Sequence, residues 1–176
     1  MRKASIAGAA AAAVLAAVVP ATSASALPDF PPHQAGWFPV PTPSRDIAAG
    51  VLCDAPIHYD AIVDEVVERI LTTYPDGSPH NIQFTGPLVV RVINTDTGAF
   101  TDVDASGSAN VEIQPDGEQD WKVIGPALFG FREGHGNQPR GLYRVDGVYR
   151  FVIAANGDRF LDIIHGTQEN VCTLID

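Results

Sequence analysis

The sequence predicts an all-β, antiparallel fold, a single β-barrel or sandwich of about eight strands. Three observations predict it: period-two alternation of apolar and polar residues, Gly-containing turn dipeptides at regular spacing, and one pair of cysteines near the ends of the alternating region. The chain has 176 residues, 11 of them Lys or Arg against 21 Asp or Glu.

The N-terminus has a different character. Arg2 and Lys3 precede an uncharged Ala/Val run from Ala4 to Val19, then Pro20 and Ala24-Ser25-Ala26. This order reads as a signal peptide over residues 1–26, cleaved after Ala26. The apolar run is about 16 residues, shorter than the roughly 20 that span a bilayer, so no membrane association is expected after cleavage. A single arginine and no cysteine at the cleavage point argue against a twin-arginine signal and a lipid anchor. Loss of Arg2 and Lys3 leaves nine basic residues against twenty-one acidic ones, a net charge of −12. Such a surface repels phosphate backbones and anionic lipid, which argues against nucleic-acid binding.

Residues 27–50 hold Pro28, Pro31, Pro32, Pro39, Pro41 and Pro43. Proline lacks a backbone donor, so this stretch is excluded from sheet interiors and reads as an extended arm before a domain at 51–176. Trp37 and Phe38 are out of keeping with a free arm. They are expected to dock on the domain or to form a partner-binding spot.

In Asp60–Tyr74 the apolar residues Ile62, Val63, Val66, Val67, Ile70 and Leu71 fit one face of a helix, while their β-branching favours a strand. Both readings stand. Beyond it, Asp76-Gly77, Thr97-Gly98, Asp116-Gly117, Asp146-Gly147 and Asn156-Gly157 mark tight turns. The runs Leu88–Asn94, Asn110–Gln114, Trp121–Ile124, Leu128–Phe131, Tyr149–Ala154 and Phe160–Ile164 between them are strands. At Asp146-Gly147 a three-residue hairpin loop pairs Tyr143 with Tyr149. It puts both tyrosines on a buried face and Arg144 and Arg150 on the exposed one.

Cys53 and Cys172, 119 residues apart, read most simply as a disulfide in an exported protein. The acidic stretch contains Asp102-x-Asp104-x-Ser106-Gly107, the opening of a calcium loop. The twelfth position is Ile113 and Glu112 falls one short, so Asp102 and Asp104 are weak calcium candidates and no metal site is expected. Histidines 33, 58, 80, 135 and 165 lack metal-ligand spacing. His58-x-Asp60 offers a base with an orienting carboxylate. Glu133–Arg140 is a polar, Gly-rich loop with His135, Asn137 and Arg140 as binding candidates. No GxSxG serine and no phosphate-cradling glycine motif occurs, so no cofactor is expected.

The alanine-rich signal, the Pro-rich arm, Cys53, Pro75-Asp76-Gly77, Thr85-Gly86-Pro87-Leu88, Asn94–Gly98, Gly141-x-Tyr143, the Gly147–Ile153 strand and Cys172-x-Leu174 together resemble a family of small exported actinobacterial proteins. The resemblance covers about residues 50–176 and implies a compact barrel closed by a first-to-last disulfide. It implies no catalytic residue. The leading expectation is a secreted, non-catalytic binding module for a small apolar ligand, lined by Phe84, Trp121, Phe129, Phe131, Tyr143, Tyr149 and Phe151. Two alternatives are a barrel enzyme of cyclase or isomerase type, using His58 or His135, and an extracellular protein-interaction or inhibitor domain using the Trp37-Phe38 arm.

Overall fold

The computed structural model describes residues 36–176. The signal peptide and the first part of the arm lie outside the described residues. The described chain is all-β and antiparallel, with twelve strands and one short 3-10 turn. The strands are β1 (Phe38–Pro39), β2 (Arg45–Ile47), β3 (Ile57–Asp64), β4 (Val67–Thr73), β5 (Pro79–Thr85), β6 (Leu88–Asn94), β7 (Phe100–Asp104), β8 (Ser108–Ile113), β9 (Gln119–Ile124), β10 (Ala127–Phe131), β11 (Gly141–Ile153) and β12 (Arg159–Asn170), followed by the 3-10 turn η1 (Val171–Leu174).

An eight-stranded sheet has the order β1-β4-β5-β8-β9-β11-β10, with β12 also on β11. A four-stranded sheet has the order β2-β3-β6-β7. The two share long strands that bend at mid-length. Val89 pairs with Asp104 in one sheet and Asn81 with Glu112 in the other, so β5/β6 and β7/β8 keep one register across both. In the same way β9 and β10 meet β11 in one register, at Ile124–Val148 and Ala127–Val145. The bends fall at Glu65–Val66, Gly86–Pro87, Ala105–Gly107, Gly125–Pro126, Gly147 and Gly166. At the last two the backbones nearly touch. A Cβ on Gly147 would sit 2.1 Å from the His165 carbonyl oxygen, and one on Gly166 2.1 Å from that of Asp146. Only glycine fits there.

The sheets do not close into a barrel, so the sandwich is the form the fold takes. After Gly107 N–H donates to the Pro126 carbonyl (2.7 Å), β7 and β10 part. Leu52 lies on the bare backbone of Gly130, and η1 packs against β7 and β11. Cys53 and Cys172, both buried, are disulfide-bonded at a Cα separation of 5.3 Å and tie these two packing pieces together. Around them gathers an aliphatic core of Leu52, Ile57, Val90, Val92, Val103, Leu142, Val171 and Ile175. A second, aromatic core forms on the inner face of β8–β12.

One open reading is settled and two expectations change. Asp60–Tyr74 is strand, β3 and β4, as its β-branched content favours. Asp146-Gly147 is no hairpin: it lies inside β11, and Tyr143 pairs with Phe129 and Asn170 rather than with Tyr149. The alternation of odd-numbered apolar residues from Tyr143 to Ile153 passes through Gly147 without a change of phase. One continuous strand therefore buries both tyrosines, while Arg150 is exposed and Arg144 half-exposed. The described part of the arm is not a tether either. Phe38–Pro39 and Arg45–Ile47 form edge strands of the two sheets, where proline is tolerated.

Candidate interaction surface

The aromatic residues singled out in the sequence divide in two. Phe131, Tyr143, Tyr149 and Phe151 are buried and interlock, with Phe131 meeting Tyr143 and Phe151 edge-on at 5.8 and 5.9 Å. Phe129 lies 4.1 Å from Phe151 and meets Tyr149 edge-on at 5.9 Å. These geometries stabilise beyond area burial. The Tyr149 hydroxyl donates to the Gly125 carbonyl (3.2 Å), and burial pushes its pKa up. Phe84 and Trp121 are half-buried and stack at 5.5 Å, and Trp121 Nε1 donates to Gln119 Oε1 (3.0 Å). The rings occupy the interior of this lobe with one another.

The loop candidates hold the loop itself in place. His135 Nδ1 lies 2.9 Å from an Asp158 carboxylate oxygen. Asn137 reaches Leu161 twice, accepting from its N–H and donating to its carbonyl, each at 2.9 Å, in imitation of a neighbouring strand. Arg140 donates to the Cys53 carbonyl (3.1 Å) and to Asp54. His58 pairs across β2 and β3 with Asp46 (2.7 Å) and not with Asp60. Asp102 directs both oxygens to Arg91, at 2.7 and 2.8 Å, and Asp104 accepts from the Ser106 N–H (3.0 Å). The Arg91 guanidinium and the Ser106 donors hold these two carboxyls below the usual range. Among the described residues no group of three His, Cys, Asp or Glu side chains is placed to hold a metal ion.

An open groove of about 360 Å³ lies instead beside the arm, lined by Pro39, Val40, Pro41 and Asp64–Val67. Ile62 and Val63, both exposed, adjoin these residues in sequence. The local sequence explains the construction. Val40 N–H donates to the Val66 carbonyl (2.9 Å), so Phe38 and Val40 turn their backbone groups toward β4. Pro39 and Pro41, which lack N–H groups, then face outward, and this edge is poorly suited to accept a further strand. Asp64 accepts from the Thr42 N–H (2.6 Å) and holds the arm against the groove. Trp37 stays 41 % exposed although the Arg69 guanidinium lies over its ring at 4.8 Å. The Pro-x-Pro spacing at 39–41 is visible in the sequence. Its facing β3–β4 corner is not, because that corner depends on a bend in a segment that reads equally as helix or strand.

The chain matches no family model, no curated protein and no solved structure in the comparisons made with each.

Proposed function

We propose that this is an exported, non-catalytic interaction domain that docks a partner protein at the groove between the arm and the β3–β4 corner. The proposal includes secretion after cleavage at Ala26 and kinship with the exported actinobacterial family. The groove is the observation that carries it: apolar side chains stay exposed around a concave surface, while the aromatic interior is filled by its own rings. The disulfide is consistent with an oxidising compartment. Among the described residues no helix is long and apolar enough to cross a membrane. The partner segment this surface suits is extended and apolar with a basic residue, since Glu65 stands exposed at the groove and the chain is strongly acidic.

A photo-crosslinking residue at Val40 tests this in the producing organism's culture medium, with a second at Lys122 as control. A discrete protein adduct at Val40 and none at Lys122 is the expected result. Equal labelling at both positions, or none at either, rejects the groove as a docking site.

A further inference from the structure

Two rows of side chains cross the outer face of the eight-stranded sheet. Arg69, Gln83, Asn110, Lys122 and Arg150 stand directly across from one another on β4, β5, β8, β9 and β11, and Asp162 on β12 ends the row. Beside it run Asn81, Glu112 and Asp120 on β5, β8 and β9. Alternation sets the face, since Ile82, Val111, Val123 and Phe151 next to these residues are buried on the opposite side. With strands about 4.8 Å apart, the first row is roughly 24 Å long.

The charges of the two rows cancel. Arg69, Lys122 and Arg150 stand against Glu112, Asp120 and Asp162, in a chain with 21 acidic residues and 11 basic ones. Arg150 donates to both oxygens of Asp120 (2.8 and 3.1 Å), Lys122 Nζ lies 4.0 Å from Glu112, and Arg69 donates to Gln83 Oε1 (2.9 Å). These contacts hold flat guanidinium, carboxylate and amide groups in place. At the β4 end of the row the Trp37 ring lies 4.8 Å from the Arg69 guanidinium and stays 41 % exposed. Two polar atoms at this end, Asn81 Oδ1 and Arg69 Nε, are shielded from bulk water and have no hydrogen-bond partner among the described residues. A buried acceptor and a buried donor left so cost stability unless a further group supplies the bonds.

We propose that the outer face from Trp37 to Lys122 binds an uncharged polysaccharide. β5, β8 and β9 are paired on both sides, so no extended peptide can add to them and only side chains meet a ligand. A face without net charge gives no electrostatic advantage to an anionic or a cationic partner. It complements a neutral chain of hydroxyl groups, each of which donates and accepts. The amides of Asn81, Gln83 and Asn110 do the same, and the Trp37 ring offers a flat surface on which a sugar ring stacks. A hydroxyl seated among these side chains supplies the donor that Asn81 Oδ1 lacks. The face uses none of the groove residues, so it stands or falls apart from the docking surface.

Affinity electrophoresis of the disulfide-bonded protein through native gels containing dextran, mannan, arabinoxylan or β-glucan tests the assignment. Retardation by at least one of the four is the expected result. Calorimetric titration with that polysaccharide should give the same affinity at low and high sodium chloride, because no net charge takes part. Trp37→Ala should weaken binding roughly ten-fold and Asn110→Ala about five-fold, for one stacked ring and one hydrogen bond. Phe100→Ala, at an exposed residue of the four-stranded sheet, should leave it unchanged. Should Trp37→Ala also loosen the arm and lower Tm, Asn110→Ala is the deciding variant. No retardation by any of the four, binding that salt abolishes, undiminished binding by Asn110→Ala, or equal weakening by Phe100→Ala overturns the proposal.

Discussion

The two cores of this domain solve the same problem by different means. The aromatic core lies on the hydrogen-bonded strands β8, β9, β10, β11 and β12, and its rings meet at 4.1–5.9 Å. The aliphatic core lies where β7 and β10 have parted, and is completed by two pieces of chain outside the strands. Its side chains are smaller, and part of its stability is covalent. The comparison teaches that a sheet which fails to close needs something to occupy the opening. Here Leu52 and η1 occupy it, and the Cys53–Cys172 bond holds them there.

The largest expected effect breaks the aliphatic side. Replacing both cysteines by alanine frees a 119-residue loop and should lower stability by roughly 4–5 kcal/mol on the chain-entropy account. Hydrogen exchange should then show β3, β6 and residues 171–175 opening before β9 and β11. Simultaneous opening of both cores would show that they are one cooperative unit.

Phe151→Ala attacks the other side. It removes a buried ring that contacts Phe129 and Phe131 and should destabilise by about 3–5 kcal/mol. Near-ultraviolet dichroism should fall while the disulfide resists alkylation as before.

Smaller effects sharpen the boundary. Gly147→Ala introduces a Cβ against the His165 carbonyl at a φ of 137°. A loss of about 1–3 kcal/mol is expected in chemical denaturation, with both cores loosened because the bend serves both. Asn94→Ala removes a buried amide that donates to the Ile175 carbonyl (3.0 Å) and accepts from the Asp96 and Thr97 N–H groups. It should cost about 1–2 kcal/mol and free the C-terminus first.

The smallest effect is a pH dependence. Arg91 holds the Asp102 carboxyl below its ordinary value, so its contribution is present above the unfolded pKa and is lost as pH falls through the folded one. The urea midpoint should drop slightly from pH 5 to pH 3, and Asp102→Asn should flatten that slope.

Much of this architecture is legible in the sequence because it is local. Asp76-Gly77, Thr97-Gly98, Asp116-Gly117 and Asn156-Gly157 each sit in a hairpin turn between paired strands, where the left-handed glycine is required. Asp146-Gly147 has the same letters and a different role, since the need for glycine there comes from the His165–Gly166 backbone of the neighbouring strand. The parting of β7 from β10 has no local sign, because nothing near Phe100 or Ala127 announces what fills the space between them. The cysteines are readable because two thiols leave one pairing.

The line of bends has a consequence for how this protein tolerates changes of length. The runs β3/β4, β5/β6 and β7/β8 each feed one sheet on one side of the bend and the other sheet beyond it, while β9/β10, β11 and β12 bend within the eight-stranded sheet. Inserting a single residue at a bend would invert inside and outside for the whole half-strand that follows. The turns at 74–78, 114–118 and 154–158 lie at strand ends, where extra residues disturb neither half. Grafted epitopes, tags and natural insertions should therefore be accepted at the hairpin tips and refused along the crease.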